Sequence, residues 1–154
     1  MIKVMFVCLG NICRSPMAEF VFKDIVKELS LEARFIIASS GTSREELGNP
    51  VYRGTVRKLS QVGIKCEGKT SMQFSKQDYT YYDYILCMDT YNVKSLIKII
   101  GDDAQGKIKR LLDFSSAPRD IADPWYTGDF DETYDDVKEG CDAFLSHLYQ
   151  AKLI

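Results

Sequence analysis

The chain has 154 residues, 45% of them hydrophobic and 27% charged, and a formal net charge of −2. One globular domain over residues 1–154 is expected, and 20 Lys+Arg against 22 Asp+Glu leave no overall positive field, which excludes nucleic acid as a partner. No run approaches the roughly 20 apolar residues that span a bilayer, and the N-terminal MIKVMFVCLGN is too short for a signal peptide, so a soluble cytoplasmic protein without membrane insertion is expected.

Residues 2–8 (IKVMFVC) are a nearly continuous apolar run rich in β-branched and aromatic residues, the pattern of a strand buried on both faces of a parallel sheet. A glycine-containing turn follows, and from Pro16 the segment PMAEFVFKDIVKELS repeats Met17, Phe20, Val21, Ile25 and Leu29 at helical spacing. Residues 35–39 (FIIAS) read as a second strand. Asn49-Pro50 opens a helical stretch in which Val56, Leu59 and Val62 recur before Gly63. Residues 84–88 (YILCM) give a third buried strand, residues 90–100 a helix stopped by Gly101, and residues 107–112 a shorter strand with charges at its start. Residues 129–152 carry one apolar stripe through Phe130, Tyr134, Val137, Cys141, Leu145 and Leu148. Strands alternating with helices in this way predict an α/β fold with right-handed crossovers and an open doubly wound sheet. Ligands of such sheets bind beyond the carboxyl ends of the strands.

That rule directs attention to residues 8–15, CLGNICRS, between the first strand and the first helix. A loop that curls back there aims successive backbone N–H groups inward, and the helix dipole adds positive potential at the same place. Gly10 and Asn11 are residue types that tolerate the positive φ such a turn needs. A tetrahedral oxyanion fits this setting. Helix N-termini and neighbouring cations favour a thiolate, which prepares Cys8 as a nucleophile. Arg14 offers a planar fork able to bond two phosphoryl oxygens at once, and Ser15 can donate a hydroxyl hydrogen bond to the Cys8 sulfur. Chance gives about 0.02 such Cys-x5-Arg-Ser strings in a chain of this composition. The other reading is a buried strand cysteine beside a solvated arginine, which leaves the arrangement unexplained.

The remaining cysteines point away from other chemistries. Cys8, Cys13, Cys66, Cys87 and Cys141 are an odd number with no C-x-x-C pair, and the single histidine, His147, lies far along the chain from any cysteine pair. Neither a disulfide framework nor a metal site is expected, and no cofactor is implied. His147 reads as a surface or packing residue of the last helix.

CLGNICRSPMAE near the N-terminus, SSGT at 39–42, ILCMD at 85–89 and DPW at 123–125 together resemble the low-molecular-weight protein tyrosine phosphatases, in this order and over essentially the whole chain. The resemblance implies a four-stranded parallel twisted sheet with helices on both faces, a phosphate-binding loop after the first strand, and a metal-free mechanism through a cysteinyl phosphate. Carried over by motif, Cys8 is the nucleophile, Arg14 binds phosphate and stabilises the transition state, and Asp123 is the general acid and base. Leu9, Gly10, Asn11, Ile12, Cys13 and Ser15 of the loop are expected to bind substrate, with Trp125 and Tyr126 as an aromatic wall. The expected partners are phosphotyrosine-containing proteins.

Asp123 lies in IADPWYTGD, a segment that reads as too turn-like for helix or strand, and an ordinary Asp-Pro turn is its other reading. Asp120 is the second candidate acid. Ile12 favours phosphotyrosine, since relatives that act on phosphoarginine carry a threonine there. Cys13 stands where the family has a neighbour able to form a reversible disulfide with the nucleophile, although a small buried filler also fits the position. Many relatives have a histidine before the third strand that helps hold the loop; this chain has GKTSMQ at 68–73, and Lys69 is the substitute in a network through Asn11 and Ser39.

Two other functions share some of these features. A thiol-dependent arsenate reductase uses the same loop but needs further cysteines, for which Cys87 and Cys141 are the remaining positions. A phosphotyrosine-binding module without activity would be expected to lack Cys8 or Asp123. The acidic run Asp129, Asp131, Glu132, Asp135 and Asp136 reads either as a docking face for a basic partner or as a helix start that complements its dipole.

Overall fold

The computed structural model describes residues 1–154. Four strands, β1 (Ile2–Cys8), β2 (Phe35–Gly41), β3 (Tyr84–Cys87) and β4 (Ile108–Arg110), form one sheet in the order β2-β1-β3-β4. Every neighbouring pair is parallel. Six helices connect or cover them: α1 (Arg14–Glu28), α2 (Arg53–Gln61), α3 (Lys76–Tyr81), α4 (Thr90–Ile100), α5 (Pro124–Thr127) and α6 (Phe130–Gln150).

Because side chains alternate along a strand, β1 feeds two cores. Val4, Phe6 and Cys8 join a cluster of 23 buried residues with α1 and α6. Met5 and Val7 face a smaller cluster of seven that includes Phe74, Ile85 and Leu96. Phe22 centres the larger one, edge-on to Phe35 and tilted against Phe144, each with ring centroids 5.4 Å away. Such aromatic pairs add about 0.5–1.5 kcal/mol beyond area burial.

Several elements differ from the sequence expectation, each for a local reason. On α1 the buried stripe runs through Met17, Val21, Phe22 and Val26, while Leu29 is exposed past the helix end. The second helix begins at Arg53 rather than at Pro50, because Pro50 pairs with Thr70 in an isolated antiparallel bridge. It buries Thr55 and Leu59, leaving Val56 and Val62 exposed. α3 carries no apolar stripe and starts from a capping box in which Ser75 and Asp78 bond reciprocally. β4 is short because Leu111 turns into a 3-10 segment, Leu111–Phe114. Residues 124–127 are helical, with Asp123 as N-cap and Pro124 at the first position, where its missing N–H is harmless. The last helix keeps the predicted stripe and adds the fully buried Phe144.

Acidic residues at the start of α6 serve the helix and its neighbours: Asp129 caps it through Glu132 N, Asp131 pairs with Lys58 at 2.7 Å, and Asp136 pairs with Arg119 at 2.8 Å. His147 is exposed and packs on the Phe114 ring at 5.0 Å. No helix is long and apolar enough to cross a membrane.

Candidate active site

β1 delivers Cys8 to the carboxyl edge of the sheet, and the chain then curls through Leu9 to Cys13 before α1 begins at Arg14. Asn11 makes the turn possible with φ of 57°. Gly10 does not take a positive φ, contrary to the sequence expectation. The glycine this loop depends on is Gly41 at the end of β2, where a Cβ would stand 2.7 Å from Leu9 O and 3.2 Å from Asn11 N. The Asn11 N–H donates to Cys8 Sγ at 3.3 Å, whereas the N–H groups of Gly10, Ile12, Cys13, Arg14 and Ser15 have no acceptor within the protein. Unpaired N–H groups around one sulfur, at the start of a 15-residue helix, form an anion-binding nest.

The loop opens into a cavity of about 200 Å³ lined by Cys8, Leu9, Gly10, Ile12, Cys13, Arg14, Ser43, Glu45, Glu46, Asp123, Trp125 and Tyr126. Two expected substrate contacts, Asn11 and Ser15, do not line it. They lie behind the loop, almost fully buried. Ser15 Oγ is 3.0 Å from Cys8 Sγ, so its hydroxyl stands beside the sulfur from the protein side.

Arg14 is fixed from below. Its Nη1 donates to Asp89 Oδ2 at 2.7 Å and to Ile121 O at 2.8 Å, while Nη2 reaches Asp123 Oδ2 at 3.5 Å. Burial works against its charge, yet the neighbouring Cys8, Asp89 and Asp123 outweigh that and raise its pKa further. Asp123 Oδ1 accepts Trp125 N–H at 3.0 Å, so the cap of α5 aims the carboxylate at the pocket. Trp125 and Tyr126 flank it, 54% and 79% exposed, as walls for an apolar group. Burial, with Cys8 and Asp123 nearby, pushes the Cys13 thiol up to about 12, so it holds its proton.

A family model described as low molecular weight phosphotyrosine protein phosphatase matches residues 3–153. The chain is 42% identical over 154 residues to low molecular weight protein-tyrosine-phosphatase YfkJ of Bacillus subtilis, covering 99% of both. The chain belongs to the low-molecular-weight phosphotyrosine protein phosphatases. The YfkJ crystal structure superposes with a TM-score of 0.94 over 99% of this chain and 97% of that one. A Streptococcus pyogenes phosphatase of the same class superposes with a TM-score of 0.87 at 44% identity, over 96% of this chain and 93% of that one. PtpA of Staphylococcus epidermidis is 39% identical over 149 residues, 96% of this chain and 94% of that protein. The chain is therefore a cysteine-based protein tyrosine phosphatase, of a family that works without metal.

This phosphatase supports its loop through a buried polar chain behind it. Ser39 donates its hydroxyl to Glu19 Oε1 at 2.5 Å and so accepts from Asn11 Nδ2 at 3.0 Å. Asn11 Nδ2 also donates to Ser15 Oγ at 2.8 Å, and its Oδ1 accepts Met72 N–H at 3.0 Å, which settles the amide orientation. Lys69 stands where the sequence put it, donating to Ser39 O at 2.7 Å with Glu19 Oε1 3.9 Å away. Burial lowers the Lys69 pKa, helped by Lys23 and opposed by Glu19. The loop is tied from above as well, Ser71 Oγ donating to Gly10 O at 2.8 Å.

The second candidate acid, Asp120, is committed elsewhere. It accepts from Thr90 N–H and from Arg110, and these bonds overcome its burial to hold its carboxyl below the usual range. Cys87 and Cys141 are fully buried and do not line the pocket. All five cysteines are free. Three residues escaped the sequence reading: Asp89, present in the ILCMD string without a role, Glu19, one charge among several on α1, and Gly41 of the SSGT string.

Proposed function

We propose that this phosphatase hydrolyses phosphotyrosine in proteins, and small aryl phosphates, with Cys8 as nucleophile, Arg14 as phosphate clamp and Asp123 as general acid and base. The observation that carries this reading is the meeting of the Cys8 sulfur, the Arg14 guanidinium and the Asp123 carboxyl on one small cavity floored by unpaired N–H groups. The Cys8 thiolate attacks phosphorus; an S–P bond forms as the bond to the phenolic oxygen breaks, and Asp123 gives that oxygen its proton. Positioned proton transfer of this kind contributes about 10² to 10⁴-fold. Asp123, now ionised, takes a proton from water, whose oxygen attacks phosphorus and expels the thiolate. The loop N–H groups and Arg14 hold the three equatorial oxygens throughout, and the Ser15 hydroxyl bond eases departure of sulfur.

The Ile12 side chain and the walls of Trp125 and Tyr126 suit a flat phenyl ring, which carries its phosphate to the loop at the depth a serine phosphate cannot reach. A chain with five free thiols suits a reducing compartment, the cytoplasm. The test is hydrolysis of p-nitrophenyl phosphate and of a phosphotyrosyl peptide with a chelator present. Wild type is expected to turn over both, Cys8→Ser neither, and Asp123→Ala about 10² to 10⁴-fold more slowly. Equal activity in Cys8→Ser, or faster release of phosphate from phosphoarginine than from phosphotyrosine, would sink the reading.

A further inference from the structure

Arg53 and Arg57 stand one turn apart on α2, and helix physics opposes both. Arg53 is the first residue of the helix, where the dipole disfavours a cation, and no acidic side chain occupies that turn. Like charges at i, i+4 repel each other. Neither guanidinium has a carboxylate within ion-pair distance, whereas Lys58 beside them pairs with Asp131, and Arg14, Arg110 and Arg119 each hold carboxylates. The contact available to Arg53 is the Tyr52 ring, 5.7 Å from guanidinium to centroid.

Both arginines line a groove of about 870 Å³ whose apolar lining includes Pro50, Val51 and the 42% exposed Val56. Ile12, Glu46 and Trp125 line this groove and the Cys8 pocket alike, so the two are continuous. The groove holds two cations against one carboxylate, that of Glu46, which is bonded to Asn49 at 2.6 Å. At the pocket itself Glu45 and Glu46 supply negative charge.

We infer that this groove receives the polypeptide flanking the phosphotyrosine, and that Arg53 and Arg57 select substrates with an acidic residue there and an apolar one against Val56. The inference rests on the phosphatase reading above and adds the class of substrate. An acidic flank is drawn to α2 and repelled from Glu45, so it also fixes which way the peptide leaves the pocket.

The experiment compares kcat/KM for two phosphotyrosyl peptides, identical except for Asp or Lys at the positions flanking the tyrosine, with p-nitrophenyl phosphate as a substrate too small to reach the groove. Wild type is expected to prefer the acidic peptide by about 3- to 30-fold, the range two exposed charge contacts supply. Added salt should shrink that preference. The double variant Arg53→Ala/Arg57→Ala should lose most of it and Arg57→Glu should reverse it, with p-nitrophenyl phosphate turnover level in all three. Equal use of both peptides by wild type, or a preference that survives in the double variant, would overturn the inference while leaving the phosphatase reading intact. A wild type inactive on p-nitrophenyl phosphate would remove that reading and the groove's role with it.

Discussion

Asp89 joins two parts of the molecule through its two oxygens: Oδ2 receives Arg14 Nη1 at 2.7 Å, and Oδ1 accepts Asn92 N–H at 2.8 Å to cap α4. The arginine is 3% exposed, so its charge has no water to fall back on. Asp89→Ala is therefore expected to cost about 3–5 kcal/mol, the usual penalty for breaking a buried pair, and to lower kcat/KM by about 10²-fold as the guanidinium drifts. Asp89→Asn keeps an oxygen for the cap, so it should recover stability more than activity. Urea unfolding and p-nitrophenyl phosphate kinetics on both variants separate the two effects.

Lys69 supplies a donor to Ser39 O and a cation near Glu19. Lys69→Met leaves a buried carbonyl and carboxylate short of a partner, a loss of about 1–3 kcal/mol. Since Glu19 orients Ser39, and Ser39 receives Asn11, activity should fall along with stability. An unchanged melting temperature and unchanged kcat in Lys69→Met would show that the loop is held without Lys69, through Asn11 and Ser71.

Gly41→Ala brings a methyl against Leu9 O and Asn11 N, backbone atoms that cannot step aside without moving the loop. Overpacking of this kind costs about 1–3 kcal/mol. The expected readout is a drop in kcat with secondary structure, followed by circular dichroism, preserved. Full activity would mean that the loop tolerates displacement.

Acid stability has a local source midway along α6. Hydrogen bonds from Arg119 and Ser115 hold the Glu139 carboxyl at about 2, below its ordinary 4.5. A depressed folded-state value stabilises the fold fully above 4.5, and that contribution is lost as pH falls towards 2. The side chain is 42% exposed, so solvent screens part of it. Glu139→Gln should flatten the fall of the urea midpoint across this window; an unaltered slope would assign acid lability to other carboxylates.

The sheet was readable because three strands are largely apolar runs, and the loop because Cys8, Arg14 and Ser15 are close in sequence. Elements held together by polar capping were not. α3 shows itself only in the Ser75 to Asp78 box, and α5 in Asp123-Pro124, a pair that also spells a turn. The parts of the site that escaped are those whose partners lie far along the chain. Asp89 meets Arg14 across 75 residues and Ser39 meets Glu19 across 20, so no spacing rule links them. The Ser15 hydroxyl beside the Cys8 sulfur and the Asn11 amide beside Ser39 were both readable in the sequence, but not that these two side chains stand behind the loop and leave only backbone for a ligand, since residue type alone does not say whether a polar side chain faces ligand or scaffold.

The five thiols have a consequence for handling this protein. Burial raises the pKa of Cys13, Cys66, Cys87 and Cys141, so each stays a protonated, sheltered group at neutral pH. Cys8 alone stands among anion-seeking N–H groups, and iodoacetate, itself an anion, should alkylate one site rapidly and then stall. Labelling of the fully buried Cys87 and Cys141 must wait for the molecule to open, so its rate is a clock for spontaneous unfolding that runs in native buffer without denaturant.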